Sequence, residues 1–345
     1  MEQNEKYIQM TTTPVGRLIG KLAVPTVITM LITSIYNMAD TFFVGLLDDT
    51  SATGAVGVVF SFMAIIQACG FLFGQGSGNF ISRALGQQRR EAASHMASFA
   101  FFASVLTGCV ISALGLLFLD PLARLLGSTD TILPYALDYG MWVCLSCPFV
   151  VCSFILNNIL RYEGKASSAM IGLVSGGIIN IFGDWLLIRK LEMGVFGAGL
   201  ATAVSQLISF TILVIVHIRS AQSKLSLPSV SRKARDYLDI CKVGLPSMLR
   251  QGLTSVSNGL LNNLARPFGD AAIAAISVVN RFSMLVMCVG LGIGQGFQPV
   301  ASFNYQARKY KRVKQGLIFT MCFGLVFIGS LGLVSIFVAE DIVSI

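Results

Sequence analysis

The chain has 345 residues, of which 54% are hydrophobic and only 12% charged, and its formal net charge is +8. A soluble domain carries about 25% charged residues, so this composition excludes an ordinary soluble protein. The apolar runs are long and do not alternate with polar residues, which excludes a β-barrel and predicts an all-α, polytopic membrane protein. The basic residues lie in short loops between those runs, so the positive charge does not indicate nucleic-acid binding.

Nine apolar runs are long enough to cross the hydrocarbon core, which a helix spans in about 20 residues. These predicted spans cover 18–44, 54–80, 96–118, 132–158, 167–188, 195–218, 243–264, 271–300 and 316–338. Most of the 25 lysines and arginines lie at the N-terminus and in the even-numbered loops. The positive-inside rule therefore predicts a cytoplasmic N-terminus in a cell (plasma or inner) membrane. The first run is too long for a signal peptide, so we expect none.

The sequence contains an internal repeat. Pro25 recurs as Pro246 and Asn37 as Asn258, in each case 221 positions later, and Gly-Gln-Gly at 74–76 recurs at 294–296. Both copies begin on the same side of the membrane, and parallel repeats of this kind suit a transporter with two lobes and a cleft between them.

We therefore divide the chain into three parts. These are a six-helix lobe at 1–218, a basic cytoplasmic connector at 219–242, and a partial second lobe of three helices at 243–345. The second copy has three spans where the first has six. We expect either a truncated second lobe or one that another segment completes.

Two carboxylates interrupt the apolar runs, Asp40 in the first span and Asp184 in the fifth. An ionised carboxylate at membrane depth costs at least about 2.5–3.5 kcal/mol, so it is rare unless it faces a cavity and binds something. Asn180 precedes Asp184 by one helical turn and shares its face. Thr202 and Tyr139 lie at a similar depth in the sixth and fourth spans. We predict that these five side chains share one layer in the outer half of the first lobe.

Hard oxygen ligands of this kind suit Na⁺ or H⁺, and two adjacent carboxylates favour proton exchange. The turns below Asp40 carry Thr33, Tyr36 and Asn37, which either face the same cavity or pack against a neighbouring helix. The sequence has no phosphate-binding loop, serine-nucleophile elbow or zinc-protease motif. We expect no enzyme activity and no cofactor other than the coupling ion.

Several segments together resemble the multidrug and toxic compound extrusion (MATE) transporters, and among them the MepA-like multidrug efflux proteins. They are the first span from Pro25 to Asp40, Gly74-Gln75-Gly76, Leu160-Arg161-Tyr162-Glu163-Gly164, Asn180 with Asp184, and Gly197-Ala198-Gly199-Leu200-Ala201-Thr202. The resemblance implies a twelve-helix, two-lobed antiporter that expels cationic, amphipathic drugs or toxins, and so confers antibiotic resistance, in exchange for Na⁺ or H⁺.

The resemblance also implies roles for individual residues. The cation ligands of relatives with a first-lobe site fall on Asp40, Asn180, Asp184 and Thr202, and Tyr139 and Asn157 join the surrounding hydrogen-bond network. The repeat position that matches Asp40 is Leu261, so we expect coupling to rest on the first lobe.

Two other functions stay open. The chain is either a non-transporting membrane fragment, as the missing spans suggest, or a flippase for lipids or lipid-linked saccharides within the same superfamily. Such flippases often have a more basic central cavity, so the acidic pair favours cation transport.

Overall fold

The fold is a bundle of long helices, and the computed structural model of the chain describes residues 2–47, 49–230, 234–265 and 270–337. Those residues form α1 (Glu2–Thr12), α2 (Val15–Gly45), α3 (Thr50–Gly86), α4 (Arg90–Leu117), α5 (Leu119–Leu125), α6 (Leu133–Tyr162), α7 (Ala166–Asp184), α8 (Gly194–Ser220), α9 (Ala234–Ala265), α10 (Asp270–Gln306) and α11 (Tyr310–Phe337). A π-helical turn, Trp185–Lys190, extends α7, and a short 3₁₀ turn occupies Leu227–Ser229.

The predicted all-helical membrane fold is confirmed. Each of the nine predicted spans overlaps one of the long helices α2, α3, α4 and α6 to α11, and residue 338, at the end of the ninth span, lies outside the described residues. Within the described part of the chain, eight helices are long and apolar enough to cross a bilayer. The long helix that is not among these eight is α9, which has charged residues in its first turns and Arg250 near its middle. The sequence pattern did not predict α1, which is polar, or α5, which is too short to span.

Helix α6 lies at the centre of the first six spanning helices and packs against α3, α4 and α8, while α2 packs against α7 and α7 against α8. Glycines allow the close approach of α7 and α8. A Cβ added at Gly172 would lie 2.3 Å from Leu213 Cγ, and one at Gly176 would lie 2.7 Å from Ser209 Cβ. Small residues at such contacts let helix backbones come together without a hydrophobic driving force between them.

The two copies of the repeat contact each other through exchanged helix pairs, in which each helix packs against a helix that is not its repeat equivalent: α3 packs against α9, and α2 packs against α10. Gly76 of α3 and Gly296 of α10 are the last residues of the two Gly-Gln-Gly motifs. A Cβ at Gly76 would lie 2.4 Å from Ile240 O, and a Cβ at Gly296 would lie 2.7 Å from Ala23 Cα. The last glycine of each motif therefore lets a helix of the other copy approach its backbone closely.

One turn further along, hydrogen bonds join α3 directly to its repeat equivalent, α10. Asn79 Nδ2 donates to Ser302 Oγ at 3.0 Å, and Ser82 Oγ donates to Pro299 O at 3.1 Å. Residues 79 and 299 are equivalent in the repeat, as are 82 and 302, so the two bonds are related by the repeat symmetry. We call this contact, formed by Gly76, Asn79, Ser82, Gly296, Pro299 and Ser302, the clasp.

The N-terminus and the turns after α3, α6, α8 and α10 share one end of the bundle, which we call the basic end. Helix α1 connects the two repeats there. Lys6 Nζ donates to Gly164 O at 2.9 Å in the first copy, whereas Arg312 Nη2 of the second copy donates to Thr13 O at 2.6 Å. Asn304 Nδ2, also in the second copy, donates to Met10 O at 3.1 Å.

The predicted connector at 219–242 has two differently structured parts. Residues 221–230 lie across the basic end, whereas α9 already begins at Ala234, several residues before the predicted seventh span. The buried Glu163 holds the first part, since its carboxylate accepts from Gln222 N at 2.7 Å and from Ser223 N at 2.9 Å. Burial raises the pKa of the Glu163 carboxyl, and these hydrogen bonds oppose that rise.

Candidate cation site

Asp40 and Tyr139 join α2 to α6 inside the bundle. Tyr139 Oη donates to Asp40 Oδ2 at 2.7 Å, and the exposed fractions of Tyr139 and Asp40 are 0% and 3%. The other carboxylate oxygen, Asp40 Oδ1, is buried and has no hydrogen-bond donor in the described part of the chain. One side of this carboxylate is thus held by a phenol, and the other is left for a ligand.

Asp184 and Asn180 bring α7 and α8 to the same place. Asn180 Nδ2 donates to Thr202 Oγ1 at 3.3 Å, and all three residues are buried. Asp184 lies within electrostatic range of Asp40, and Tyr139 is also close to Asp184 and Thr202. The structure therefore brings together the five side chains of the predicted layer, and we call them the acidic cluster.

The acidic cluster contains more acceptors than donors. Asn180 Oδ1, Asp184 Oδ1 and Asp184 Oδ2 join Asp40 Oδ1 as buried oxygens that receive no hydrogen bond from the described residues. An uncompensated buried charge costs several kcal/mol, about as much as breaking a buried ion pair. Carboxylate, amide and hydroxyl oxygens are ligands for hard cations, and a carboxylate pair can also hold a proton. The arrangement is therefore chemically fit for H⁺ or Na⁺.

Local backbone features set this geometry. A Cβ added at Gly199 would lie 3.0 Å from Tyr139 Cδ2, and Gly199 precedes Thr202 by one turn, so this glycine lets α8 approach α6 beside the cluster. Likewise, a Cβ added at Gly183 would lie 3.0 Å from Ala201 Cβ. Helix α7 changes to a π-helical turn directly after Asp184. Such turns are rare and occur frequently at functional sites.

Tyr36 extends the cluster along α2, since it lies within electrostatic range of Asp40 and beside the Gln206 side chain. Gln206 is not among the residues predicted from the sequence, although its position one turn after Thr202, on the same face of α8, was a usable signal. Thr33 and Asn37 are half-buried on neighbouring turns. Thr33 Oγ1 donates to Thr29 O of its own helix at 2.8 Å, so this hydroxyl is used within α2.

Asn157 lies apart from the cluster. Its Nδ2 donates to Ala169 O at 3.0 Å and joins α6 to α7 near the basic end. It follows Tyr139 on the same helix by a distance of roughly 27 Å at 1.5 Å per residue. The structure therefore does not bring Asn157 into the network that the resemblance implied. Asp138, next to Tyr139 in sequence, is exposed and also lies outside the cluster.

Membrane-spanning helices arranged as a parallel repeat, with an uncompensated pair of buried carboxylates, indicate a membrane transporter. The MatE family model matches residues 25–186 and 246–345, and the two matches begin at the equivalent positions Pro25 and Pro246. The chain belongs to the MatE family of membrane transporters.

The chain is similar to the multidrug export protein MepA of Staphylococcus haemolyticus (strain JCSC1435), with 27% identity over 344 residues that cover 97% of this chain and 76% of MepA. Among solved structures, it is similar to a MATE in complex with MaL6, with a TM-score of 0.92, 26% identity, and coverage of 97% and 75%. An outward-facing multidrug resistance MATE family transporter of the MOP superfamily gives a TM-score of 0.90, with the same identity and coverage. The chain thus spans about three quarters of the length of these proteins.

Proposed function

We propose that this protein is a secondary antiporter that exports cationic, amphipathic compounds in exchange for H⁺ or Na⁺. The observation that carries the proposal is the set of four buried oxygens on Asp40, Asn180 and Asp184 that receive no hydrogen bond from the described residues. The similarity to MepA, which is named a multidrug export protein, supports drugs as the exported class.

The coupling ion is a substrate of this exchange, and Asp40, Asn180, Asp184 and Thr202 are its proposed ligands. A cation between the two carboxylates removes their mutual repulsion and offsets their desolvation. Because Asp40 lies on α2 and Asp184 on α7, occupancy favours one relative position of these two helices. A cationic drug in the same cavity meets the same negative charge, so drug and ion compete.

Helix α2 provides a physical route from the ion to the second repeat. Asp40 lies near one end of α2, and Ala23, near the other end, packs against Gly296 of α10. Between them, a Cβ at Gly292 would lie 2.4 Å from Val27 Cγ2, so α2 and α10 are in close contact over several turns. A shift of α2 that accompanies ion binding therefore acts directly on α10.

We also propose that the basic end faces the cytoplasm of a cell-membrane protein, as the distribution of lysine and arginine predicts. The acidic cluster then lies toward the outer surface, because Asp40 is close to Gly45, where α2 ends away from the basic end. Ions that move down their gradient into the cell reach the cluster from outside.

Efflux of a cationic dye such as ethidium from cells tests the proposal. Asp40→Asn and Asp184→Asn each remove one buried charge with little change in shape, and we expect either substitution to abolish efflux. Asp138→Asn is the matched control, because Asp138 precedes Tyr139 but is exposed. Unaltered efflux in Asp40→Asn would refute coupling through this site. Failure of the unsubstituted chain to export dye would favour the non-transporting alternative.

The two tryptophans of the chain allow a test that does not require transport. Trp185 follows Asp184, and Trp142 lies one turn after Tyr139, so intrinsic fluorescence reports on the cluster. We expect a saturable change on titration with NaCl against choline chloride for Na⁺ coupling, or with pH alone for H⁺ coupling. Asp40→Asn should remove this change and Asp138→Asn should keep it. A response to neither ion would reject the cation site.

A further inference from the structure

A second polar cavity lies at the basic end, between α1, α2 and the turn that leads into α7. Its volume is about 280 Å³, and Lys6, Lys21 and Lys165 line it together with Ser167 and Ser168. It is separate from the acidic cluster, since Lys21 and Asp40 are 19 residues apart on α2, or roughly 28 Å. The mechanism proposed above does not use these lysines.

Three segments of the chain contribute one lysine each, so the positive charge converges by tertiary packing and not by sequence clustering. Hydrogen bonds orient two of them: Lys6 Nζ donates to Gly164 O at 2.9 Å, and Lys165 Nζ donates to Ser220 O. No acidic residue is among the described residues that line the cavity. The neighbouring Glu163 carboxylate accepts hydrogen bonds from the backbone at Gln222 and Ser223, and it also interacts electrostatically with Lys165.

An exposed apolar stripe leads away from the cavity on each of the two helices that form its wall. On α2, Val24 and Ile28 follow Lys21 at helical spacing, with exposed fractions of 58% and 38%. On α7, Ile171 and Ile178 are 50% and 58% exposed and continue the face of Ser167. In a multi-pass membrane protein, exposed apolar side chains on spanning helices face lipid tails. Helices α2 and α7 pack together and both line the cavity, so the two stripes adjoin the cavity and begin beside its lysines.

We propose that this cavity binds the phosphate-bearing headgroup of an anionic phospholipid, whose acyl chains lie along the stripes of α2 and α7. Three ammonium groups in the wall of one cavity favour an anionic headgroup over a zwitterionic one, since each basic residue near an anionic lipid surface contributes about a fivefold gain in binding. The adjoining stripes favour a lipid over a free phosphate ion, which has no apolar part to cover them. The bound lipid contacts α1, α2 and α7 at once and stabilises their packing.

Native mass spectrometry of the delipidated full chain, titrated with phosphatidylglycerol or phosphatidylcholine of the same acyl length, tests this proposal. We expect at least about fivefold tighter binding of phosphatidylglycerol, and about a fivefold loss in Lys21→Gln and in Lys165→Gln. Lys21 is exposed, so its substitution leaves the core intact, and Lys21→Arg should retain the affinity. Lys311→Gln is the control, because Lys311 is an exposed lysine of the basic end that does not line the cavity.

Three results would overturn the proposal. Equal binding of the two lipids would reject an anionic headgroup site, and equal losses in Lys311→Gln and Lys21→Gln would show a diffuse surface effect. Binding of inorganic phosphate as tight as that of phosphatidylglycerol would show a free-anion site instead of a lipid site. The measurement records lipid binding alone, so its outcome is independent of whether the antiport proposal holds.

Discussion

Substitution of Gly76 by alanine tests whether the clasp holds the two repeats together. The new Cβ would lie 2.4 Å from Ile240 O, a backbone atom, whereas ordinary contact begins at 3.4 Å. Helices α3 and α9 must therefore separate by about 1 Å or distort. Overpacking of this kind typically costs about 1–3 kcal/mol, against a gain of up to about 1 kcal/mol from replacing glycine in a helix. The net expectation is a loss of stability.

Gly294→Ala is the matched control, because this residue begins the second Gly-Gln-Gly motif and an added Cβ meets nothing within 4 Å. There only the helical gain applies, so stability should rise or stay unchanged. Thermal unfolding in detergent, followed by tryptophan fluorescence, should give a lower midpoint for Gly76→Ala than for Gly294→Ala. Equal midpoints in the two variants would refute the tight contact between α3 and α9.

Three further predictions concern single polar groups. Tyr139→Phe leaves Asp40 Oδ2 without its donor, which should destabilise the fold by about 1–3 kcal/mol; an unchanged thermal midpoint would show that this hydrogen bond is dispensable. Glu163→Gln should speed hydrogen exchange at the Gln222 and Ser223 amides by at least tenfold, whereas unchanged exchange would show that other contacts hold residues 221–230. Hydrogen bonds from the Tyr135 side chain and the backbone amide of Ser51 lower the pKa of Asp49. The ionised Asp49 carboxylate therefore stabilises the start of α3 fully above about pH 4, and this stabilisation is lost as the pH falls through the lowered pKa of Asp49. The protection of the Ser51 amide, measured relative to the intrinsic exchange rate at each pH, should then fall in acid. It should not fall in Asp49→Asn, because the asparagine side-chain oxygen accepts the same hydrogen bond at every pH.

The membrane fold and most of the acidic cluster were predictable from sequence, because both depend on the cost of polarity at membrane depth. A charge inside an apolar run stands out by composition alone, as at Asp40 and Asp184. Helix periodicity then places Asn180 on the face of Asp184. The family implied by the resemblance was confirmed by the MatE match.

Other features depend on side-chain contacts that no local pattern reveals. Helical spacing places Gln206 on the face of Thr202, but only packing of α8 against α2 brings it beside Tyr36. Asn157 has the residue type of a ligand, but its depth on α6 places it against Ala169. The repeat showed that the Gly-Gln-Gly motifs are equivalent, but their exchange of partners across the clasp required the structure.

The contacts between the two copies also affect how the chain is made. Asn79 and its hydrogen-bond partner Ser302 are 223 positions apart, which at 5–20 residues per second separates their synthesis by roughly 10–45 s. During that interval the polar side chains of Asn79 and Ser82 have no partners from the second copy. The first half of the chain is therefore in the bilayer before its contact surface for the second copy is covered, and insertion of α9 and α10 is the step that covers it.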